Sequence, residues 1–192
     1  MGKFTRRDTA ISELCIVEPA AFGDSRGFFM ETYNQRDFAQ MGIDATFVQD
    51  NHSKSSRGVL RGLHFQRRHV QGKLVRVVAG AVLDVAVDLR PESATYGKWE
   101  SVVLSAENRL MFYIPPRFAH GFVTLEDDTE FLYKCTDVYD PQSESGIVWN
   151  DASLGVDWQL ERWGIDGAQL LISSKDLSGG TFKSLNPNTL WQ

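Results

Sequence analysis

With 192 residues, 42% of them hydrophobic and 23% charged, the chain has the length and composition of one globular domain, large enough to bury a core without staples. A net charge of −5 argues against a general nucleic-acid binder, and no apolar run approaches membrane-spanning length. Two cysteines, Cys15 and Cys135, cannot build a disulfide framework and read as buried thiols. The first 15 residues carry charge and no apolar stretch, so no signal peptide is expected, and a reducing cytoplasm is the expected compartment.

In chain order, residues 1–10 read as polar and loose. Leu14, Ile16 and Val17 mark a first strand within 11–19, the glycines at 23 and 27 frame a turn, and 28–33 reads as the next strand. Asn34 caps a short helix over 35–41 that Gly42 stops. From residue 46 onward short strands alternate with turns: 46–49, 59–66, 73–79, 81–89, 98–104, 111–114, 119–125 and 129–136. Turn signals every 8 to 12 residues or so argue for an all-β sandwich or barrel. Beyond Pro141 the chain is loop-rich, with Trp149 and Trp158 as anchors, one helical turn between 160 and 170, and a tail over 177–192 that reads as extended.

The stretch 56–77 gathers a lone imidazole, cations and an amide among β-formers and turn glycines. In a regular strand over 59–66, Arg61, Leu63 and Phe65 share one face, and Gly62, His64 and Gln66 the other. A bulge at Gly58 or Gly62 would change that alternation. Arg57, Arg61, Arg67, Arg68, Lys73 and Arg76 cluster in sequence on an acidic protein, a pattern suited to a small anionic ligand. The four histidines form no His-x-His pair, so no metal site is expected. There is no Gly-x-Ser-x-Gly elbow, and no glycine-rich loop opens a helix. Imidazole, lysine, tyrosine and carboxylate leave proton transfer as the chemistry with material available. Each also has a bland reading: His64 as a hydrogen-bonded barrel histidine, Lys73 as an edge cation, Tyr133 as a core aromatic. Residue-level reasoning ends at a β-barrel with a polar, cationic pocket.

The segments Phe-Val-Gln-Asp-Asn-His-Ser at 47–53, Gly-Val-Leu-Arg-Gly-Leu-His-Phe-Gln at 58–66, Gln-Gly-Lys-Leu-Val-Arg-Val at 71–77, Pro-Pro-Arg-Phe-Ala-His-Gly-Phe at 115–122 and Tyr-Lys-Cys-Thr at 133–136 resemble the dTDP-4-dehydrorhamnose 3,5-epimerase family. Arg-Gly-Phe-Phe-Met-Glu at 26–31 and Ser-Lys-Asp at 174–176 fit the same family, and the match runs unbroken from about 12 to 176. The resemblance implies a mainly β, cupin-type jelly-roll barrel with a few short helices, one domain over 1–192. It implies a homodimer that exchanges an N-terminal strand at about 11–33, and a dTDP-linked 4-keto-6-deoxy sugar as substrate, with no metal, no cofactor, no nucleic acid and no membrane. Epimerisation at C3 and C5 needs a base, a partner for the enolate oxygen and an acid on the opposite face. By resemblance these are His64, held by Asp176, then Lys73, then Tyr133. The same resemblance makes Arg61, His120, Lys175, Gln49, Asn51, Tyr139 and Glu144 substrate-binding, with Tyr139 stacked on thymine. Arg26 and Glu31 would be delivered from the partner subunit. Relatives that invert a single carbon share these groups, and a cupin that only binds a sugar nucleotide, or acts through a metal, is the rival from another class. The loop 67–70 lacks an expected proline, and the segment 161–167 is longer than usual.

Overall fold

The computed structural model describes residues 3–191. Its strands are β1 (Phe4–Asp8), β2 (Cys15–Pro19), β3 (Ala21–Asp24), β4 (Gly27–Met30), β5 (Gln49–Ser55), β6 (Val59–Gln66) and β7 (Lys73–Ala79). The run continues with β8 (Ala81–Asp88), β9 (Trp99–Ser105), β10 (Met111–Ile114), β11 (Phe118–Thr124), β12 (Thr129–Cys135), β13 (Glu144–Gly146) and β14 (Leu171–Ile172). A short helix, α1 (Gln35–Gln40), interrupts it between β4 and β5, and a second, α2 (Ser174–Leu177), follows β14. One sheet runs β1-β2-β10-β7-β12-β5 and the other β13-β6-β11-β8-β9, with β14 added parallel to β6. The two sheets face each other as a jelly roll, and β3 and β4 form a separate hairpin.

Burial explains the layering. On β8, Val82 and Ala86 face inward and pack with Val75, Phe112, Phe122 and Phe131 from both sheets. The alternate residues Leu83, Val85, Val87 and Leu89 face outward, and β8 is buried along its whole length. Such a strand needs a cover on each side. The outer cover is the C-terminal segment, which brings Ile147, Leu154, Trp158, Ile165 and Leu190 onto that face. The expectation of an extended tail is therefore corrected: single helical turns at Phe182–Ser184 and Pro187–Thr189 fold it back, and Leu190 is 1% exposed. The other sheet is covered by α1 and by the loops beside it, with Phe38 and Ile43 on Leu74, Met111 and Tyr113.

Residues 3–8 are not loose. β1 pairs antiparallel with β2, and Phe4 meets Phe38 edge-to-face at 5.0 Å. Its charged residues mark it as an edge strand rather than a disordered arm. The strand expected at 46–49 instead begins at Gln49 and runs to Ser55. Its sequence, Gln-Asp-Asn-His-Ser-Lys-Ser, hides it, because its more buried alternate positions carry polar side chains.

Candidate active site

The site lies between the sheets, in a cavity of ≈ 320 Å³ whose lining includes Gln49, Asn51, His64, Lys73, Tyr133 and Glu144. The strands aim these groups at one another. Cys135 pairs with Lys73 and Tyr133 with Val75 across β12 and β7, and Tyr133 pairs with Asn51 on β5. From the opposite sheet, β6 contributes His64.

A bulge decides which face of β6 enters the cavity. The β6–β11 register runs His120 to His64 and then Phe122 to Arg61, so one residue is gained opposite Gly121. The close approach requires glycine on both strands. A Cβ on Gly62 would lie 2.5 Å from the Gly121 Cα, and one on Gly121 would lie 2.7 Å from the Arg61 carbonyl oxygen. Leu60, Leu63 and Phe65 consequently share the outer core, while Arg61 and His64 both point toward the facing sheet. The regular alternation, which set them on opposite faces, is overturned by this shift.

His64 Nε2 is hydrogen-bonded to Asp176 Oδ1. Asp176 sits in α2, one turn long, where Ser173 Oγ donates to its Oδ2 at 2.8 Å and accepts from its backbone N–H at 3.1 Å. Burial alone would raise the Asp176 pKa, but the bonds from His64 and Ser173 outweigh it and hold the carboxyl below the usual range. On the facing sheet, burial pushes the Tyr133 phenol up, so it stays protonated near neutrality. Burial lowers Lys73 below an ordinary lysine, against the opposing pull of Cys135, Asp84 and Glu144. The Lys73 ammonium lies 6.0 Å from the centre of the Tyr133 ring.

His120 stands behind this group, its Nε2 on Asp84 Oδ2 at 2.9 Å, both residues buried. Burial drives the pair toward neutral forms, raising Asp84 and lowering His120. The sequence signals Asp84 only as a carboxylate within an apolar strand, with nothing local to mark its pairing with His120. At the mouth, Tyr139 donates through its hydroxyl to Glu144 and through its backbone to Gln49 Oε1, and Lys175 also donates to Glu144.

Of the expected residues, Asp176, Arg61, His120 and Lys175 border the cavity without lining it, and two lie elsewhere. Arg26 pairs with Asp24 at the hairpin tip, and Glu31 pairs with Lys3 and Asn34; neither lines the cavity of its own chain. The cationic cluster also disperses. Arg57 donates to the carbonyls of Leu125, Trp163 and Gly164, and Arg67 to those of Thr189 and Leu190. Arg68 turns to Asp140 and Arg76 lies with Leu74 and Met111 on the outer face of its sheet, while Arg61 and Lys73 point between the sheets. Among the described residues no three His, Cys, Asp or Glu side chains gather as a metal-ligand set.

What converges here is equipment for moving protons: an imidazole oriented by a carboxylate, a neutral phenol across the cavity, and an ammonium beside it. The class it defines is an acid–base enzyme built on a cupin-type jelly roll. The profile of the dTDP-4-dehydrorhamnose 3,5-epimerase family matches residues 8–184. A relative of that name from Methanothermobacter thermautotrophicus is 50% identical over 191 residues, covering 100% of both chains. The crystal structure of a Legionella pneumophila 3,5-epimerase in complex with dTDP-4-keto-L-rhamnose superposes with a TM-score of 0.90 at 45% identity, covering 97% of this chain and 96% of that one. A Streptomyces bikiniensis 3'-monoepimerase in complex with dTDP-quinovose gives a TM-score of 0.85 at 32% identity, covering 95% and 90%. The chain belongs to the dTDP-4-dehydrorhamnose 3,5-epimerase family and is an isomerase of that kind.

Proposed function

We propose that this enzyme epimerises dTDP-4-dehydro-6-deoxy-D-glucose at C3 and C5, giving dTDP-4-dehydro-L-rhamnose for dTDP-L-rhamnose formation. The observation that carries the reading is that His64, hydrogen-bonded to Asp176 behind it, shares one cavity with Tyr133 and Lys73. A C–H beside the C4 ketone becomes acidic only if the enolate is stabilised. His64 takes the proton, and the bond to Asp176 fixes the ring tautomer and balances the charge it gains. The electron pair moves onto the C4 oxygen, where the Lys73 ammonium faces it; one such donor is typically worth about 3–4 kcal/mol. Tyr133 returns a proton to carbon from the opposite face, which inverts the centre, and the phenolate regains its proton from solvent or from the imidazolium. Neither a metal nor a cofactor has a part in this scheme.

Around the chemistry, Arg61, His120, Gln49, Asn51, Lys175, Tyr139 and Glu144 are the substrate-binding set, with the half-exposed Tyr139 ring available to stack on thymine. Phe22, Phe28 and Phe29 on the β3–β4 hairpin are 64%, 56% and 72% exposed, which supports a homodimer in which the hairpin crosses to a second copy and carries Arg26 and Glu31 to its cavity. One jelly-roll domain spans 1–192, and the cytoplasm is its compartment; no helix of the described residues is long and apolar enough to cross a membrane.

The test is turnover of the dTDP-4-keto sugar in deuterated water followed by NMR, with deuterium expected at both C3 and C5. The second reading, inversion of a single carbon, is favoured by the likeness to the Streptomyces monoepimerase. Deuterium at C3 with none at C5 selects it.

A further inference from the structure

Glu144 opens β13, whose ladder with β6 runs Glu144 to Gln66, Ser145 to Phe65 and Gly146 to His64. Its Oε2 accepts from Tyr139 Oη and from Lys175 Nζ, each at 2.5 Å. One carboxylate oxygen thereby ties the 136–143 loop to α2. The Glu144 side chain is only 14% exposed, so water screens this tie less than an open surface pair. Burial opposes its charge, yet Lys175 and Tyr139 hold its pKa below the usual range. It is an anion at neutral pH.

α2 is a four-residue turn with no helix stability of its own, so its anchors decide where Asp176 stands. Before it, Ser173 caps the turn and Ile172 pairs with Leu60. After it, Gly180 donates to the Gly146 carbonyl at 3.0 Å. Between these, Lys175 is the neighbour of Asp176, and its ammonium is drawn to the pocket mouth by Glu144.

We propose that Glu144 is a positioning residue: through Lys175 it fixes the turn that holds Asp176 against His64, and through Tyr139 it couples that turn to the nucleotide end of the cavity. The inference rests on the acid–base reading given above and adds to it a route by which the two ends of the pocket are set together. A residue that only touched ligand would be felt in binding. A residue that holds α2 is felt in the proton-transfer step at saturating substrate, where small misplacements of reacting groups are costly.

The experiment compares wild type with Glu144→Gln, which keeps the shape and removes the charge. Three quantities are measured: the affinity for dTDP alone by calorimetry, kcat at saturating dTDP-4-keto sugar, and the low-field proton resonance of the His64–Asp176 hydrogen bond. The expected result is kcat down on the order of tenfold at saturating sugar, a larger factor than any change in dTDP affinity, to which Glu144 contributes only as one contact of several. The low-field signal is broadened or lost while the melting transition stays cooperative. Weakened dTDP binding with wild-type kcat and an intact signal overturns the proposal. Lys175→Met breaks the same tie from its other end, so kcat losses in the double variant are expected to fall short of the product of the single losses. Fully multiplicative losses also overturn it, and if Glu144→Gln is too unstable to purify, Lys175→Met alone decides: lowered kcat with a broadened low-field signal supports the tie, and wild-type kcat with an intact signal overturns it. Should wild type fail to turn over the sugar, the functional reading falls, and the resonance then decides the tie by itself.

Discussion

His64 and Asp176 are 112 residues apart in the chain, yet the imidazole Nε2 and the carboxylate Oδ1 share a hydrogen bond. The contact exists because β14 adds beside the start of β6 and delivers the next turn, α2, over the imidazole. If the carboxylate orients the base, Asp176→Asn leaves the shape and removes the charge that balances an imidazolium. Turnover is expected to fall by about 10²–10⁴. His64→Asn is expected to abolish deuterium incorporation from solvent. An Asp176→Asn enzyme that turns over like wild type removes the carboxylate from the mechanism.

The same carboxylate has a consequence in acid. Its folded pKa is depressed, so its contribution to stability is complete above the unfolded carboxylate value of about 3.9 and is lost as pH falls through the lower folded value. Asp176→Asn binds no proton in either state. Stability measured by denaturant at successive pH values below about 5 is expected to fall less steeply in the variant than in wild type. Parallel curves would show that Asp176 is not held low by its partners.

Lys73 runs the opposite way. Burial lowers its folded pKa, so keeping it charged costs stability at every pH below that value, and the cost is relieved only as pH rises toward the unfolded lysine value of about 10.4. Lys73→Met removes the charge and keeps the length. At pH 7 the variant is expected to melt no lower than wild type, with stability neutral or raised by about 1 kcal/mol, and to lose epimerisation. A large drop in melting temperature would show that Lys73 is part of the structural framework.

Much of the barrel is legible in the sequence, and the failures share a cause. β6, β7 and β10 fall where short runs of β-formers between turn signals set them, because their apolar side chains meet the cores. β5 escapes notice because its site-facing positions are amides and hydroxyls, so the feature that makes the cavity useful erases the strand signal. β13 is three residues long and carries Glu-Ser-Gly, too short for any period to appear. The cation cluster misleads in the same way: Arg57 and Arg67 are stitched to loop carbonyls that no local pattern reveals. His64, Lys73 and Tyr133 are visible as residue types in plausible strands. Their convergence depends on non-local pairings and on a bulge whose place only the β11 partner fixes.

That bulge is open to test. Gly62 has φ +126, and a Cβ there would come within 2.8 Å of the His120 carbonyl oxygen as well as against Gly121. Both the conformation and the space exclude a side chain. Gly62→Ala is expected to cost at least about 3 kcal/mol in unfolding free energy and to weaken activity beyond any effect on folding, since Arg61 and His64 would no longer share a face. Gly58→Ala makes a control: its φ is also positive, at +80, but the nearest atom to a Cβ is 4.0 Å away. Equal losses for the two would place the constraint in the backbone angle and not in the close approach.

The hairpin gives the last prediction. Phe22 pairs in register with Phe29, Phe28 follows on the return strand, and Arg109 lies over the Phe28 ring at 4.5 Å. A two-stranded hairpin this apolar is not stable in water on its own and calls for a partner surface. Phe29→Asp places a charge where the apolar contact with a second copy would form. Light scattering is expected to change from a dimer mass to a monomer mass, with the barrel's melting transition retained because no core residue is touched. Epimerase activity is expected to fall with the dimer if, as proposed, the hairpin delivers Arg26 and Glu31 to the neighbouring copy, since neither lines the cavity of its own chain. An active monomer would leave the cavity of a single chain sufficient for the reaction.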